Sequence, residues 1–390
     1  MITVAQALEH LFSLTAPMDI EEISLRLAAG RVLARDVSAE RTQPPFAASS
    51  MDGYALRRAE VEPDAMFKVV GEAAAGHRYT GTLNAGQAVR IFTGAPVPEG
   101  ADFVVIQEDV TRRGDLITLG HKIGDKDNIR PAGGDFTKGQ TLEAPLRLRP
   151  ADIALLAAMN IATVPVYRKP VVAIMATGDE LVQPGEVPGP DQIIASNTYG
   201  LAAQLDPLGA QTRLMPIARD NAPSLQRAFE LAQDADLIIT IGGASVGDHD
   251  LVAPVAATMG MEQSFYKVAM RPGKPLMAGR LGTSAMVGLP GNPVSALVCG
   301  TIFVAPMINA MLGLGHSPAP RRTVPLAADI PANGPREHYM RAVITDGAVA
   351  PADRQDSSLL TILASANALL VRQPSDPAQN AGALVEVIDL

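Results

Sequence analysis

The 390-residue sequence contains no tryptophan and one cysteine, Cys299. A single thiol excludes an internal disulfide and a cysteine-based zinc cage, and it fits a reducing, cytoplasmic compartment. Positive charge is also short: the formal net charge is -9 and no run of Lys or Arg occurs. That balance argues against nucleic-acid binding through bulk electrostatics. Residues 1–20 have no basic start followed by an apolar core, so no secretory signal is expected. Charge is absent altogether between Arg280 and Arg321, where "VSALVCGTIFVAPMINAML" is long enough to span a membrane. The Asn292–Pro293 pair at its start, the interruptions at Pro306 and Asn309, and the strand-like "AMVGLP" feeding into it instead read as a buried core helix.

What remains is rich in apolar residues, 47% against 19% charged, enough to bury sizeable cores. The length suggests about two to four domains. Thr3 and Gln6 form a capping-box pair ahead of Ala7, Leu8, Leu11 and Phe12 at helical spacing. "ISLRLAAGRVLARDV" predicts a second short helix stopped at Gly30, then a strand. Beyond Pro44–Pro45, residues 53–145 read as short glycine-punctuated strands of a small β module. "RPADIALLAAMNIATVPVY" predicts a helix then a strand, and "RKP" at 168–170 a hinge. From 171 to 310, strands "VVAIMAT", "TRLMPIA", "DLIITIG" and "AMVGLP" alternate with helical segments near 197–206, 223–234, 250–258 and 293–311. The alternation predicts a doubly wound, mostly parallel α/β sheet. After 318, Pro-rich joints and short strands predict a small C-terminal β domain.

In open parallel sheets, ligands bind beyond the carboxyl ends of the strands. The loops leaving those ends are "TGDEL" (177–181), "ARDN" (218–221), "GGASVGDHD" (242–250) and "GLPGNP" (288–293). Glu180, Asp220, Asp248, Asp250 and the Gly291–Asn292 turn are therefore expected on one edge. Taken singly, Asp179, Asp220 and Asp248 also suit helix caps, and His249 a solvated loop position. "YKVAMRPGKP" adds Lys267 and Arg271, read as sharing one strand face, and Lys274 in a Pro-Gly turn, all suited to phosphate oxygens or to a solvated basic turn. "GLPGNPVSA" predicts a helix capped by Asn292, whose first amides offer an anion seat. In the β module, Asp52 precedes a glycine, as in a plain turn; Thr93 precedes Gly94; Arg130 and Asp135 flank Gly133–Gly134. Carboxylates crowded beside a phosphate seat repel the phosphate unless a cation lies between, and Mg²⁺ is the hard, oxygen-seeking ion for that place.

The ordered motifs "SSMDGYA", "TGA", "RPAGGD", "TGDEL", "GGASVGDHD", "RPGKP" and "GLPGNPVSA" resemble those of the molybdopterin molybdenumtransferase (MoeA/gephyrin) family over essentially the whole chain. "SSMDGYA" and "RPAGGD" lie outside the domain shared with molybdopterin adenylyltransferases. The resemblance implies an N-terminal helical/extended dimerisation region (1–43 and 140–168), an inserted β module (44–139), an α/β molybdopterin-binding domain (169–317) and a C-terminal β-barrel-like domain (318–390). It implies a homodimer that inserts molybdate into adenylylated molybdopterin with Mg²⁺-dependent release of AMP, in a cleft between the α/β domain of one subunit and the β module of the other. Carried over by motif, Asp52, Asp135, Glu180, Asp220 and Asp250 are the catalytic candidates, with Asp52, Glu180 and Asp250 as Mg²⁺ ligands. Thr93, Arg130, Ser245, Lys267, Arg271, Lys274, Gly291, Asn292 and Ser357 are the substrate-binding candidates. Arg271 stands where the family commonly has Lys, and Ser358 is the alternative to Ser357. The middle of "GDHD" departs from the family's usual residues, and Asp248 and His249 receive no role. A molybdopterin adenylyltransferase and molybdoenzyme delivery factors are the implied partners, with neither nucleic acid nor membrane. The alternatives are an adenylyltransferase, a gephyrin-like scaffold, and tungstate in place of molybdate.

Overall fold

The computed structural model describes residues 1–243 and 251–390. The predicted Ser245, Asp248, His249 and Asp250 lie outside the described residues.

The capping box forms as expected: Gln6 N donates to Thr3 Oγ1 (3.2 Å) and Thr3 N donates to Gln6 Oε1 (3.0 Å). The helix it starts, Val4–Ser13, buries Val4, Ala7, Leu8 and Leu11 in the same core as the α/β sheet. The second predicted helix does not form. Its residues make a strand, Ile20–Ser24, and one 3₁₀ turn, Leu25–Leu27. The strand is recruited by antiparallel pairing with Thr163–Tyr167, a tertiary contact that overrides local helix propensity. The β module contains a six-stranded sheet in the order Phe103–Ile106, Gly53–Leu56, Gln87–Ile91, Met66–Ala73, Leu116–Leu119, Val110–Arg113, closed over its own core.

The α/β sheet has the order Gln211–Leu214, Val171–Ala176, Leu237–Ile241, Ser284–Leu289, Met277–Leu281, Glu262–Tyr266. The first four strands are parallel, and the last two add an antiparallel edge. Alternate residues serve two cores. Val172, Ile174, Leu237 and Ile239 face one, while Ala173, Met175 and Ile238 face the other. Burial on both faces is why these strands read as unbroken apolar runs. Among the described residues one helix, Pro293–Met311, is long and apolar enough to cross a membrane, and 78% of its apolar window is buried inside the fold. It opens into a π turn at Gly300–Val304 just before Pro306, which has no N–H to give the preceding turn.

Residues 168–170 form a pinned joint rather than a free hinge. Arg168 makes a forked pair with Asp236 (2.8 and 2.9 Å), and Asp236 also accepts from Val171 N (2.7 Å). The predicted common strand for Lys267 and Arg271 is likewise corrected. The α/β strand ends at Tyr266, Lys267 takes φ +69°, and Met270–Arg271 pairs in parallel with Glu337–His338. Arg271 therefore belongs to the C-terminal sheet, which runs Met270–Arg271, Glu337–Thr345, Ala368–Arg372, Leu384–Asp389, Arg322–Pro325. A residue of left-handed backbone cannot continue a strand, so the two cations share no strand face.

Candidate active site

A cleft of about 720 Å³ opens at the carboxyl ends of the parallel strands. Thr177, Gly178 and Glu180 follow the first strand, Gly242 and Gly243 another, and Pro290, Gly291 and Asn292 a third. Asp220 reaches the same space from the loop before helix Ala222–Ala232. Glu180, Asp220, Gly291 and Asn292 are thus brought together as the topology requires.

Neither acid is a helix cap. Asn221 caps helix Ala222–Ala232 by accepting from Ser224 N (3.0 Å). Asp179 and Asp220 instead tie the two loops to each other: Asp220 N donates to Asp179 Oδ1 (3.2 Å) and Asp179 N to Asp220 Oδ2 (3.4 Å). Gly178 adopts φ +150°, and a Cβ there would stand 2.2 Å from Glu180 Oε2. Glycine suits this position because L side chains rarely adopt that backbone angle, whereas the exposed Glu180 carboxylate could swing aside.

Asn292 occupies the N-cap position of helix Pro293–Cys299, but its side chain does not cap. Asn292 Nδ2 donates to Ser357 Oγ (3.0 Å), and Val294 N to the Ser357 carbonyl (3.1 Å). At the predicted anion seat Pro293 has no N–H, and the Val294 amide is taken by the C-terminal domain. Both candidate serines sit at this seam. Ser357 holds Asn292, while Ser358 lines the cleft and bonds Asp356 Oδ1 through its N (2.8 Å) and Oγ (2.7 Å). These two bonds hold the Asp356 carboxyl below its ordinary value.

The basic residues stand around the cleft rather than in its lining. Lys274 is one residue from the lining Pro275, and Lys267 Nζ lies 4.9 Å from the Tyr266 ring centroid. Arg271 faces a cationic group that the sequence did not disclose. Arg341 is fully buried, and its Nε and Nη1 have no hydrogen-bond partner among the described residues. Its Nη2 donates to the carbonyl of Asp356 (2.9 Å), the residue before the serine pair. His338 is also buried with Nε2 unpartnered. Burial first, then Arg271, Arg341, Arg336 and Arg372, push its pKa down to about 4. Buried donors are normally satisfied, so the unpartnered Nε and Nη1 of Arg341 are an exception in this seam.

The β-module residues form a second group. Thr93 N (2.8 Å) and Oγ1 (2.9 Å) both donate to Asp52 Oδ1. The backbone bond, then the hydroxyl bond, hold the Asp52 carboxyl below its ordinary value, with a smaller contribution from Arg90. Asp52–Gly53 is not a plain turn. Gly53 begins a strand, and a Cβ there would lie 1.9 Å from Val105 O. Arg90, another residue the sequence reading missed, sits between the Tyr54 and Phe92 rings (5.0 and 4.7 Å) and donates to Gly53 O (3.1 Å). Arg130 pairs with Ala48, next to the Asp52 segment, and Asp135 N donates to Gln43 O (3.1 Å). Asp52, Thr93, Arg130 and Asp135 are not among the residues lining the Glu180–Asp220 cleft of the same chain.

Glu180 and Asp220 offer hard carboxylate oxygens. Among the described residues no three His, Cys, Asp or Glu side chains cluster as metal ligands. Such a donor set fits Mg²⁺, which needs one or two carboxylates and completes its shell with water and substrate phosphate.

Comparison with known proteins matches the chain to three family descriptions in order: the MoeA N-terminal region (domain I and II) over residues 2–160, a probable molybdopterin binding domain over 173–310, and the MoeA C-terminal region (domain IV) over 323–390. The chain is 38% identical to a molybdopterin molybdenumtransferase of Haemophilus influenzae, covering 80% of this chain and 78% of that protein. It is 33% identical to the Bacillus subtilis protein of the same name, covering 99% and 94%. A molybdopterin biosynthesis MoeA structure from Pyrococcus horikoshii OT3 superimposes with a TM-score of 0.86 at 26% identity, covering 100% of both chains.

Proposed function

The chain belongs to the molybdopterin molybdenumtransferase family, transferases of molybdenum cofactor biosynthesis, and from that premise we propose that its cleft joins molybdate to adenylylated molybdopterin and releases AMP. The observation carrying this reading is the convergence of Glu180, Asp220 and Ser358 on one cleft. The adenylyl phosphoanhydride lies along the glycine-bearing strand ends. Glu180 and Asp220 would hold Mg²⁺ against it, and the ion would supply charge neutralisation to the leaving phosphate. Asp250 is proposed as a further ligand on the resemblance. Molybdate, a compact oxyanion, is received where Arg341, Arg271 and the Ser357–Ser358 segment meet. Lys267 and Lys274 steer the phosphates. No nucleophile–base pair occurs among the described cleft residues, so the acids act as ligands and positioners rather than in a covalent intermediate.

Asp52, Thr93, Arg130 and Asp135 enter this scheme from a second subunit, with Asp52 as a further metal ligand. These residues are not among those lining the Glu180 cleft of their own chain, and the proposal joins the two groups in a homodimer whose site is shared. A cytoplasmic location, and passage of substrate and product between a molybdopterin adenylyltransferase and molybdoenzyme delivery factors, belong to the same proposal. The test is molybdate-dependent AMP release from adenylylated molybdopterin. Glu180→Gln, Asp220→Asn and Asp52→Ala should each lose about 100-fold or more in turnover. Unchanged turnover in all three would remove the site assignment.

A further inference from the structure

Arg219 is not a cleft residue, yet its guanidinium ties the Asp220 loop to three backbone carbonyls of the Glu180 loop. Its Nη1 donates to the carbonyls of Asp179 (3.0 Å), Leu181 (3.2 Å) and Gly178 (3.5 Å). These three acceptors bracket Glu180 on both sides. The Arg219 end is fixed as well: its N donates to Ser224 Oγ (2.9 Å), its carbonyl accepts from Asn221 N (2.7 Å), and Ala218 N donates to Ala176 O (2.9 Å). The neighbouring Asp179–Asp220 bonds complete a closed frame around two loops that carry the two acids of the cleft.

We infer that Arg219 is a positioning residue for the transfer reaction, holding Glu180 and Asp220 at a fixed separation through the Gly178–Leu181 backbone. The inference rests on the reading of these acids as the working carboxylates. Three carbonyl oxygens aimed at one nitrogen orient the peptide planes on either side of Glu180, and so set where its carboxylate stands. A glycine at φ +150° in the same turn leaves the loop no stiffness of its own. Outer partners that orient ligating groups typically carry 10- to 100-fold in affinity or activity, about what is expected here.

The experiment compares Arg219→Met and Arg219→Lys with Glu180→Gln, and with Arg227→Met on the exposed face of the adjoining helix as the control. AMP release is measured as kcat and KM at several Mg²⁺ concentrations. Amide hydrogen exchange over residues 177–182 is followed on the protein alone, without metal or substrate. Arg219→Met should lower kcat roughly 10- to 100-fold, leave KM within about threefold and speed exchange over 177–182; Arg219→Lys, which keeps a donor in reach, should recover most of both. Arg227→Met should match the parent protein. Should Arg219→Met lose its folded state, Arg219→Gln, too short to reach all three carbonyls, carries the comparison and should show the same fall in kcat and faster exchange over 177–182; wild-type values for both would overturn the inference. Wild-type kcat in Arg219→Met alongside an inactive Glu180→Gln overturns the inference, as does unchanged exchange over 177–182. Wild-type turnover in Glu180→Gln overturns the parent reading instead.

Discussion

Arg341→Met separates stability from function at the C-terminal seam. The guanidinium is fully buried and leaves Nε and Nη1 unpaired, while Nη2 bonds the Asp356 carbonyl at 2.9 Å and the Arg354 carbonyl at a longer 3.5 Å. Each buried unpaired donor costs about 1–3 kcal/mol, and the nearby Arg271 adds like-charge repulsion. The Nη2 bonds return about 1–3 kcal/mol between them. Methionine fills much of the same volume with no donor to satisfy, so the variant should be as stable as the parent or more stable by about 1–2 kcal/mol. The parent should gain from molybdate: at 100 times the dissociation constant, binding to the folded state adds about 2.7 kcal/mol. The assay is thermal unfolding with and without molybdate. The account predicts a midpoint for Arg341→Met at or above the parent's, with the molybdate-induced rise abolished. A variant that still rises with molybdate, or that unfolds several kcal/mol earlier without it, would refute the reasoning that this arginine is strained for an oxyanion.

Two further outcomes test local physics. Keeping His338 neutral at a pKa near 4 makes the folded state bind fewer protons than the unfolded chain, whose imidazole titrates near 6.5. Its contribution is complete above pH 6.5 and is lost as pH falls towards 4, about 3 kcal/mol in all. Denaturant titrations should show that slope in the parent and a flatter one in His338→Gln; equal slopes would count against it. Gly53→Ala pushes a methyl to within 1.9 Å of Val105 O, a backbone atom that cannot step aside, so it should cost about 3 kcal/mol in denaturant unfolding and reduce turnover through Asp52. A stable, active Gly53→Ala would contradict the close approach.

The parallel strands and the acid loops at their ends were legible because complete burial writes continuous apolar runs and the topology then dictates one edge. The antiparallel edge strands Glu262–Tyr266 and Met277–Leu281 were not, since glutamate, glutamine, glycine and arginine dilute their pattern. Lys267 and Arg271 look like strand partners at a spacing of four. Only the left-handed backbone at Lys267 and the recruitment of Arg271 by Glu337–His338 separate them. Asn292 has the composition of a cap, but its amide is claimed by Ser357, 65 residues further on. Nothing local singles out Arg341, because its polar partners come from residues 352–356, outside any local window.

Mixing two inactive variants tests the shared site most directly. Asp52→Ala chains keep an intact α/β cleft, and Glu180→Ala chains keep an intact β module. If each site draws on both subunits, random reassociation should place one whole site in half of the dimers and restore roughly a quarter of parent AMP release. A mixture that stays as inactive as its components, although mass measurement shows mixed dimers, would contradict the account.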